Sequence, residues 1–567
     1  EDSSIHVQTD GFSGSLESRL TSQVSALRTS LTVDDGDVQF KNSSEFFGEE
    51  SHITVNSGDV VFSDTSIVGN TLNSSLIITG GNFDIQNNAK FISSSSSVNV
   101  TGGNLRSFNN ALLDLISTDM LVGGNVALTD QTIFRLADSD VDIIGGTFST
   151  TNLSTWSATN TPVLVEGNVV FNGTTHFFQN SPIDIQVGPV SGFLQGNLNA
   201  ELTAFDSPIS IHGGGIGFND NTRLLAVDSN LLINDGSVVF TGNSVLEFAL
   251  STALTINNGS LEFFDNAEFI TVNTTNINIL GGHFKVFDDI ALSFDGVSLF
   301  VTGNVLFHGN SSLDLTNSDV SVVGGIFATS EDSSISFITT PLFVEGKVVF
   351  NGTSHYFEDS SITITTGVFP GILQANVGAE VIAVDTPITI NGGDLDFNDH
   401  STLLATNSNL LINNGSVVFS DTAELEFDQS TTLTVLSGNF ELHDSASFLA
   451  SATSIDIFDG DFLVFDDVIL DLDQIDMFVG GNAAFAGQSK FALTDSLVDV
   501  IDGSFSTTDV VELTFTNTPM LIEGSVILNG SRHDFVQSSL HIKSGLASAL
   551  LQANELSQVN LLQTVVT

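Results

Sequence analysis

Three sets of potentially reactive residues recur at one spacing: Glu166, Asn172 and His176; Glu345, Asn351 and His355; Glu523, Asn529 and His533. A carboxylate near an imidazole is the raw material of general acid–base chemistry. Here the two lie ten positions apart, and neither a nucleophile nor a fixed oxyanion donor accompanies them. The recurrence is better explained by a structural unit that repeats, with a turn at Asn-Gly, and the chain is expected not to be an enzyme. Paired carboxylates at Asp288/Asp289 and Asp466/Asp467 could serve a glycosidase or ligate Ca²⁺ through oxygen, but the matching pair in the first repeat is Asn109/Asn110. The nonapeptide calcium repeat is also missing. The cofactor expectation is none, beyond weak, adventitious Ca²⁺ binding to a negative surface.

A second recurrent chemistry is the acceptor sequon Asn-x-Ser/Thr. The candidates for N-glycosylation are Asn172, Asn351 and Asn529, which share one phase of the repeat, then Asn42, Asn73, Asn99, Asn152, Asn258, Asn273, Asn310 and Asn414. Asn-Gly is also a favoured turn pair, so turn chemistry alone could retain the first three.

The charge balance removes whole classes of partner. Twelve Lys+Arg face 67 Asp+Glu, a formal net charge of -55, although only 14% of residues are charged. A chain short of cations is repelled by nucleic acid and by anionic membrane surfaces. The same shortage argues against a lyase groove for acidic sugars. There is no cysteine, hence no disulfide or thiolate site. No run approaches the ~18 apolar residues of a membrane-crossing helix, and 41% hydrophobic residues suffice for a core.

The elements that must position these residues are read from the repeats. GNVVFNGTTHFF (167–178) returns as GKVVFNGTSHYF (346–357) and GSVILNGSRHDF (524–535), and EDSSI at 1–5 returns at 358–362. The organisation is therefore tandem: 1–178, 179–357 and 358–535, followed by the start of a fourth unit, 536–567. Both ends fall inside the repeat pattern, so the expectation is a window on a longer array. Within each unit a glycine recurs every 21–23 residues, as at Gly36, Gly58, Gly81 and Gly103, with one longer step per unit at Gly188, Gly367 and Gly545.

Counting from twenty-one of these glycines, position +2 is always apolar and position +4 is Phe in eleven. That alternation is strand-like, with both side chains on one buried face. Position +6 is Asp, Asn or Gly in all but one, Glu331, which calls for a left-handed bend. A 22-residue unit cannot bury its apolar face alone, whereas stacked coils can. The predicted fold is all-β: a parallel, right-handed β-helix solenoid of about 24 coils in one continuous rod, with a Phe ladder inside and a turn ladder at one corner.

GGGIGFNDN (213–221), GGNFDIQNN (80–88) and FFDN (263–266) resemble the GG-apolar and FxxN repeats of polymorphic outer-membrane and autotransporter passenger β-helices. The resemblance implies a β-helix exposed on a cell surface. The segment after each longer step shows apolar residues four apart: Leu16, Leu20 and Val24; Leu194, Leu198 and Leu202; Leu373, Val377 and Val381. Such spacing predicts a short helix on the solenoid flank, and these nine residues are the candidate assembly surface.

Taken together, the sequence points to a structural protein of an extracellular filament or cell-surface fibre, glycosylated, whose partners are further copies of itself and its attached glycans. The rival readings are an adhesin or passenger domain that binds a glycan or host protein and, below it, a β-helix carbohydrate-active enzyme.

Overall fold

Alternating apolar side chains, β-branched residues and Phe, broken every few positions by Asp, Asn, Gly or Ser, favour short strands over any helix. The computed structural model describes residues 3–7, 15–272, 275–530, 532–545, 548–554 and 557–567. Among them there is no helix, and every strand pairing is parallel. The protein is a parallel β-solenoid of about 25 turns. It divides into two compact units, Glu1–Gly282 and His283–Thr567.

In the first unit one coil consists of three strands, Arg223–Val227, Leu231–Asn234 and Val238–Phe240. The longest strands stack into a twelve-stranded sheet running from Gln23–Leu27 to Glu268–Val272. At about 4.8 Å per coil this stack is roughly 50 Å deep. The shorter strands stack in register too: Leu231 lies between Ile209 and Leu254, and Phe240 between Phe218 and Phe263. Inward side chains fill the core, and the expected Phe ladder is present, with ring centroids 5.5 Å apart for Phe218–Phe240 and 5.7 Å for Phe240–Phe263. Each such ring contact contributes about 0.5–1.5 kcal/mol beyond the area it buries.

The second unit repeats this plan. Its thirteen-stranded sheet runs from Ala291–Asp295 to Gln558–Leu562, and Phe397 stacks on Phe419 at 5.0 Å.

Two backbone features set the corners of each coil. The +6 residue has positive φ after all twenty-one glycines, from Asn42 to Gly530, and the exception to the composition rule, Glu331, adopts φ 57° like the rest. The glycines themselves form a ladder of main-chain contacts. A Cβ on Gly415 would lie 1.7 Å from the carbonyl oxygen of Gly393, and one on Gly236 would lie 1.3 Å from that of Gly214. No atom fits there, so only glycine lets successive coils come this close.

The ladder corrects the frame at the longer steps. The glycines beneath Gly214 and Gly393 are Gly192 and Gly371, not Gly188 and Gly367. Seven residues, 187–193, join Gln186 to Leu194, where three, 213–215, join His212 to Ile216; the four extra residues form a surface loop and leave the coil unchanged. The predicted flank helix is consequently absent. The segments form pairs of ordinary strands joined by a bend, Leu16–Ser18 and Gln23–Leu27, Leu194–Asn197 and Glu201–Phe205, Leu373–Asn376 and Glu380–Val384.

The joints at 178/179, 357/358 and 535/536 fall inside the strands Thr175–Gln179, Ser354–Glu358 and Arg532–Val536.

Gly415→Ala is expected to destabilise the second unit by about 3 kcal/mol or more, the upper end of overpacking costs. In the same unit Gly378→Ala, where nothing lies within 4 Å of the added Cβ, should cost only the ~1–2 kcal/mol of left-handed backbone. Urea melts that show equal losses for the two variants would contradict a steric role for the ladder.

Candidate functional site

The recurrent Glu, Asn and His residues are positioned by consecutive strands, and the strands send them in different directions. Glu166 and Asn172 end the strands Val163–Glu166 and Val169–Asn172 and are half-buried at the periphery. His176 is the second residue of Thr175–Gln179, where the side chain points inward, and it is enclosed by the core. His355 and His533 are enclosed likewise. The carboxylate and the imidazole of each set therefore occupy opposite faces of the wall.

What His176 and His355 meet instead is a threonine at the +4 position, where most coils carry an apolar side chain, often Phe: Thr150 and Thr329. The third repeat has Thr507 there, but its hydroxyl bonds the Asn529 main chain, and neither ring nitrogen of His533 has a hydrogen-bond partner among the described residues. The hydroxyl of Thr150 lies 3.0 Å and that of Thr174 2.6 Å from His176 Nε2. The backbone N–H of Trp156 donates to Nδ1 at 3.2 Å, so the neutral ring carries its proton on Nε2 and offers it to these hydroxyls. The imidazole stacks on Phe171 at 4.0 Å, and His355 stacks on Phe350 at 4.5 Å. Burial pushes His176 down to about 3 and His355 down to about 4, and lowers His533 as well. This is a polar plug in an apolar core that recurs once per long period.

The carboxylate pairs sit at the turn corner. Asp288, Asp466 and Asp467 have left-handed backbone, and Asn310 Nδ2 donates to Asp289 Oδ1 at 2.7 Å. Among the described residues no three His, Asp or Glu side chains converge as metal ligands.

The sequons divide by exposure. Asn42, Asn73, Asn152, Asn258, Asn310 and Asn414 are exposed, whereas Asn99, Asn172, Asn351 and Asn529 are half-buried. The three that share one phase are tied into asparagine ladders. Asn197 Nδ2 donates to Asn172 Oδ1 at 2.6 Å, and Asn376 Nδ2 to Asn351 Oδ1 at 2.8 Å, while Asn554 makes the same contact with Asn529. Asn351 Nδ2 itself donates to the Thr329 carbonyl at 3.0 Å. Asn273 lies outside the described residues.

The candidate assembly residues separate in the same way. Leu194, Leu202, Leu373 and Val381 are core, Leu16 is half-buried, and Val24 is exposed. Leu20, Leu198 and Val377 stand at left-handed corners, 72%, 59% and 69% exposed. A strand, a short left-handed bend and another strand reproduce a four-residue apolar spacing without a helix.

Two further ladders were not anticipated. At the turn after the longest strand, a buried hydroxyl in many coils accepts the main-chain N–H of the coil before it: Ser181 N–H donates to Ser207 Oγ at 2.9 Å, Ser207 N–H to Ser229 Oγ at 2.8 Å, and Thr386 N–H to Ser408 Oγ at 3.0 Å. The sequence signal was present, since six of the eight prolines follow such a residue, as in Thr161-Pro162, Ser207-Pro208 and Thr386-Pro387. Beside the glycine, Asn82 donates through both its main-chain N–H and its Nδ2 to Asp59 Oδ1, at 2.7 and 3.1 Å, and Asn104 does the same to Asn82.

No protein-family model and no curated protein sequence matches the chain. Of what the resemblance to autotransporter passenger repeats implies, the structure shows the parallel β-solenoid fold.

The buried histidines make a signed pH prediction. The unfolded chain takes up the His176 proton below about 6.5 and the folded chain does not until about 3, so stability falls as pH drops through that window. The chain's single tryptophan, Trp156, reports this coil by fluorescence. In urea melts, His176→Gln should gain on the parent chain by up to about tenfold in the folding equilibrium per pH unit below 6.5. A difference that does not change between pH 7 and pH 4 would refute the assignment.

Proposed function

We propose that this chain is a structural protein of an extracellular filament or cell-surface fibre, in which the solenoid itself is the working part. The observation that carries the reading is that the glycine, hydroxyl and asparagine ladders run from coil to coil in both compact units. Cohesion is thus spent along the stacking direction, and the pattern extends with every added coil.

The surface chemistry supports the same use. Several of the few cations are engaged by neighbouring carboxylates. Arg106 pairs with Asp84 at 2.7 Å, Arg223 bridges Glu201 and Glu247, and Lys543 pairs with Glu523. The remaining negative charge keeps such molecules soluble and apart. Glycans attached at the exposed corner asparagines Asn42, Asn73 and Asn414 would project outward without disturbing a side-chain ladder, whereas at Asn152, Asn258 and Asn310 they would alter the Nδ2 bond to Asp130, Asp235 and Asp289 of the coil before. Asn172 and Asn351 would have to leave theirs.

A second reading, a surface module that holds a partner, is favoured by Leu20, Leu198 and Val377. These residues carry apolar side chains at exposed left-handed positions where other coils use Asp, Asn or Gly. Left-handed backbone at Leu or Val costs about 1–2 kcal/mol, which packing on the chain's own core does not return.

Electron microscopy of native material should reveal fibres with an axial period of eight coils, roughly 38 Å at about 4.8 Å per coil. Discrete, capped particles would remove the filament reading. Glycopeptide mass spectrometry is expected to find sugar on the exposed sequons, and unmodified Asn42, Asn73, Asn152, Asn258, Asn310 and Asn414 would remove the glycan coat. If Leu198→Asp and Val377→Asp leave fibre association intact but abolish surface adhesion, the second reading replaces the first.

A further inference from the structure

The core of the first compact unit departs from its own repeat at one rung. Twelve residues after the ladder glycine, the chain places Phe248 after Gly236 and Phe427 after Gly415, and both rings are enclosed. After Gly58 the same position is Asn70, inward on the strand Ile67–Thr71 and only 2% exposed. Asn70 pairs in register with Gly48 on one side and Ser93 on the other. Gly48 adds no side chain to the rung, and a Cβ there would come within 2.9 Å of Asn70 Oδ1.

The exchange of a ring for a smaller amide leaves space. A cavity of about 10 Å³, measured as the volume open to the centre of a water molecule, lies beside Asn70 among Val38, Phe40, Ile53, Phe62 and Phe91. Neither Asn70 Nδ2 nor Asn70 Oδ1 has a hydrogen-bond partner among the described residues. A primary amide buried this way forfeits the hydrogen bonds it makes to water in the unfolded chain, a loss that native cores rarely tolerate. The volume suits one water molecule and nothing larger, and the amide supplies the two polar partners that a buried water requires.

We propose that this cavity is a binding site for one ordered water molecule, which accepts a hydrogen bond from Asn70 Nδ2, donates one to Asn70 Oδ1, and stands where the Phe248 and Phe427 rings stand in the other two repeats. The site makes one coil of the first long period chemically distinct from its two counterparts.

A crystal structure of the full chain at about 1.5 Å resolution should contain a single density peak 2.7–3.2 Å from both amide atoms. An empty cavity, or an Asn70 side chain turned to a protein partner, would overturn the proposal. Asn70→Phe installs the residue that the other repeats carry. In its crystal structure the peak should vanish and the ring should fill the cavity, and the Trp156-detected thermal midpoint should rise by a few degrees. A lowered midpoint would mean that the rung is not a ring position occupied by water, and would also overturn it.

Discussion

The rest of the structure depends on how closely two main chains approach at the glycine corner. A coil that must lie against its neighbour's carbonyl oxygen, with no room for a methyl group, has no freedom to slip or tilt, so the register of its three strands follows from that single contact. Register then decides everything else. It places Phe above Phe and hydroxyl above hydroxyl, and it superposes the left-handed bends so exactly in phase that even Glu331 adopts one. A residue type is acceptable at a position only if the same position one coil away can live with it at about 4.8 Å.

That spacing is hardest on carboxylates, and the outer corners show how the repulsion is contained. Along the turn after the longest strands, aspartate in one coil is followed by asparagine in the next: Asn160 Nδ2 donates to Asp138 Oδ1 at 3.0 Å and Asn317 Nδ2 to Asp295 Oδ1 at 3.0 Å, and Asn407 and Asn517 meet Asp385 and Asp495 likewise. Within the strands, partly buried carboxyls hold their protons longer. Asp142 is raised first by burial and then by Asp140, Glu166 and Asp119, and Asp456 by burial and then Asp476. Part of the large negative charge is thus interleaved with amides along the turn corner.

Much of this was legible in the sequence because stacking writes itself as a period. The glycine step, the +2 and +4 core positions and the +6 bend could be counted directly, and they fix the solenoid. The flank helix failed for a physical reason: a short left-handed bend between two strands spaces apolar side chains as one turn of helix does, and Leu198 and Val377 occupy that bend with side chains that normally avoid it. The histidines were legible as a recurrence but not as a direction, since only the alternation along Thr175–Gln179 turns His176 inward while Glu166 stays at the periphery. The hydroxyl ladder stayed hidden because Ser and Thr are common in turns, and only their coincidence with proline marks them out.

The joints of the long period fall in the middle of strands. A gene encoding such a chain can therefore gain or lose one whole period by unequal recombination anywhere within it, because every strand on either side of the junction finds an in-phase neighbour. Length becomes a heritable quantity that changes in steps of eight coils with no new interface to evolve, whereas a single extra residue within a strand has to be taken up as a bulge, as between Val323 and Gly325.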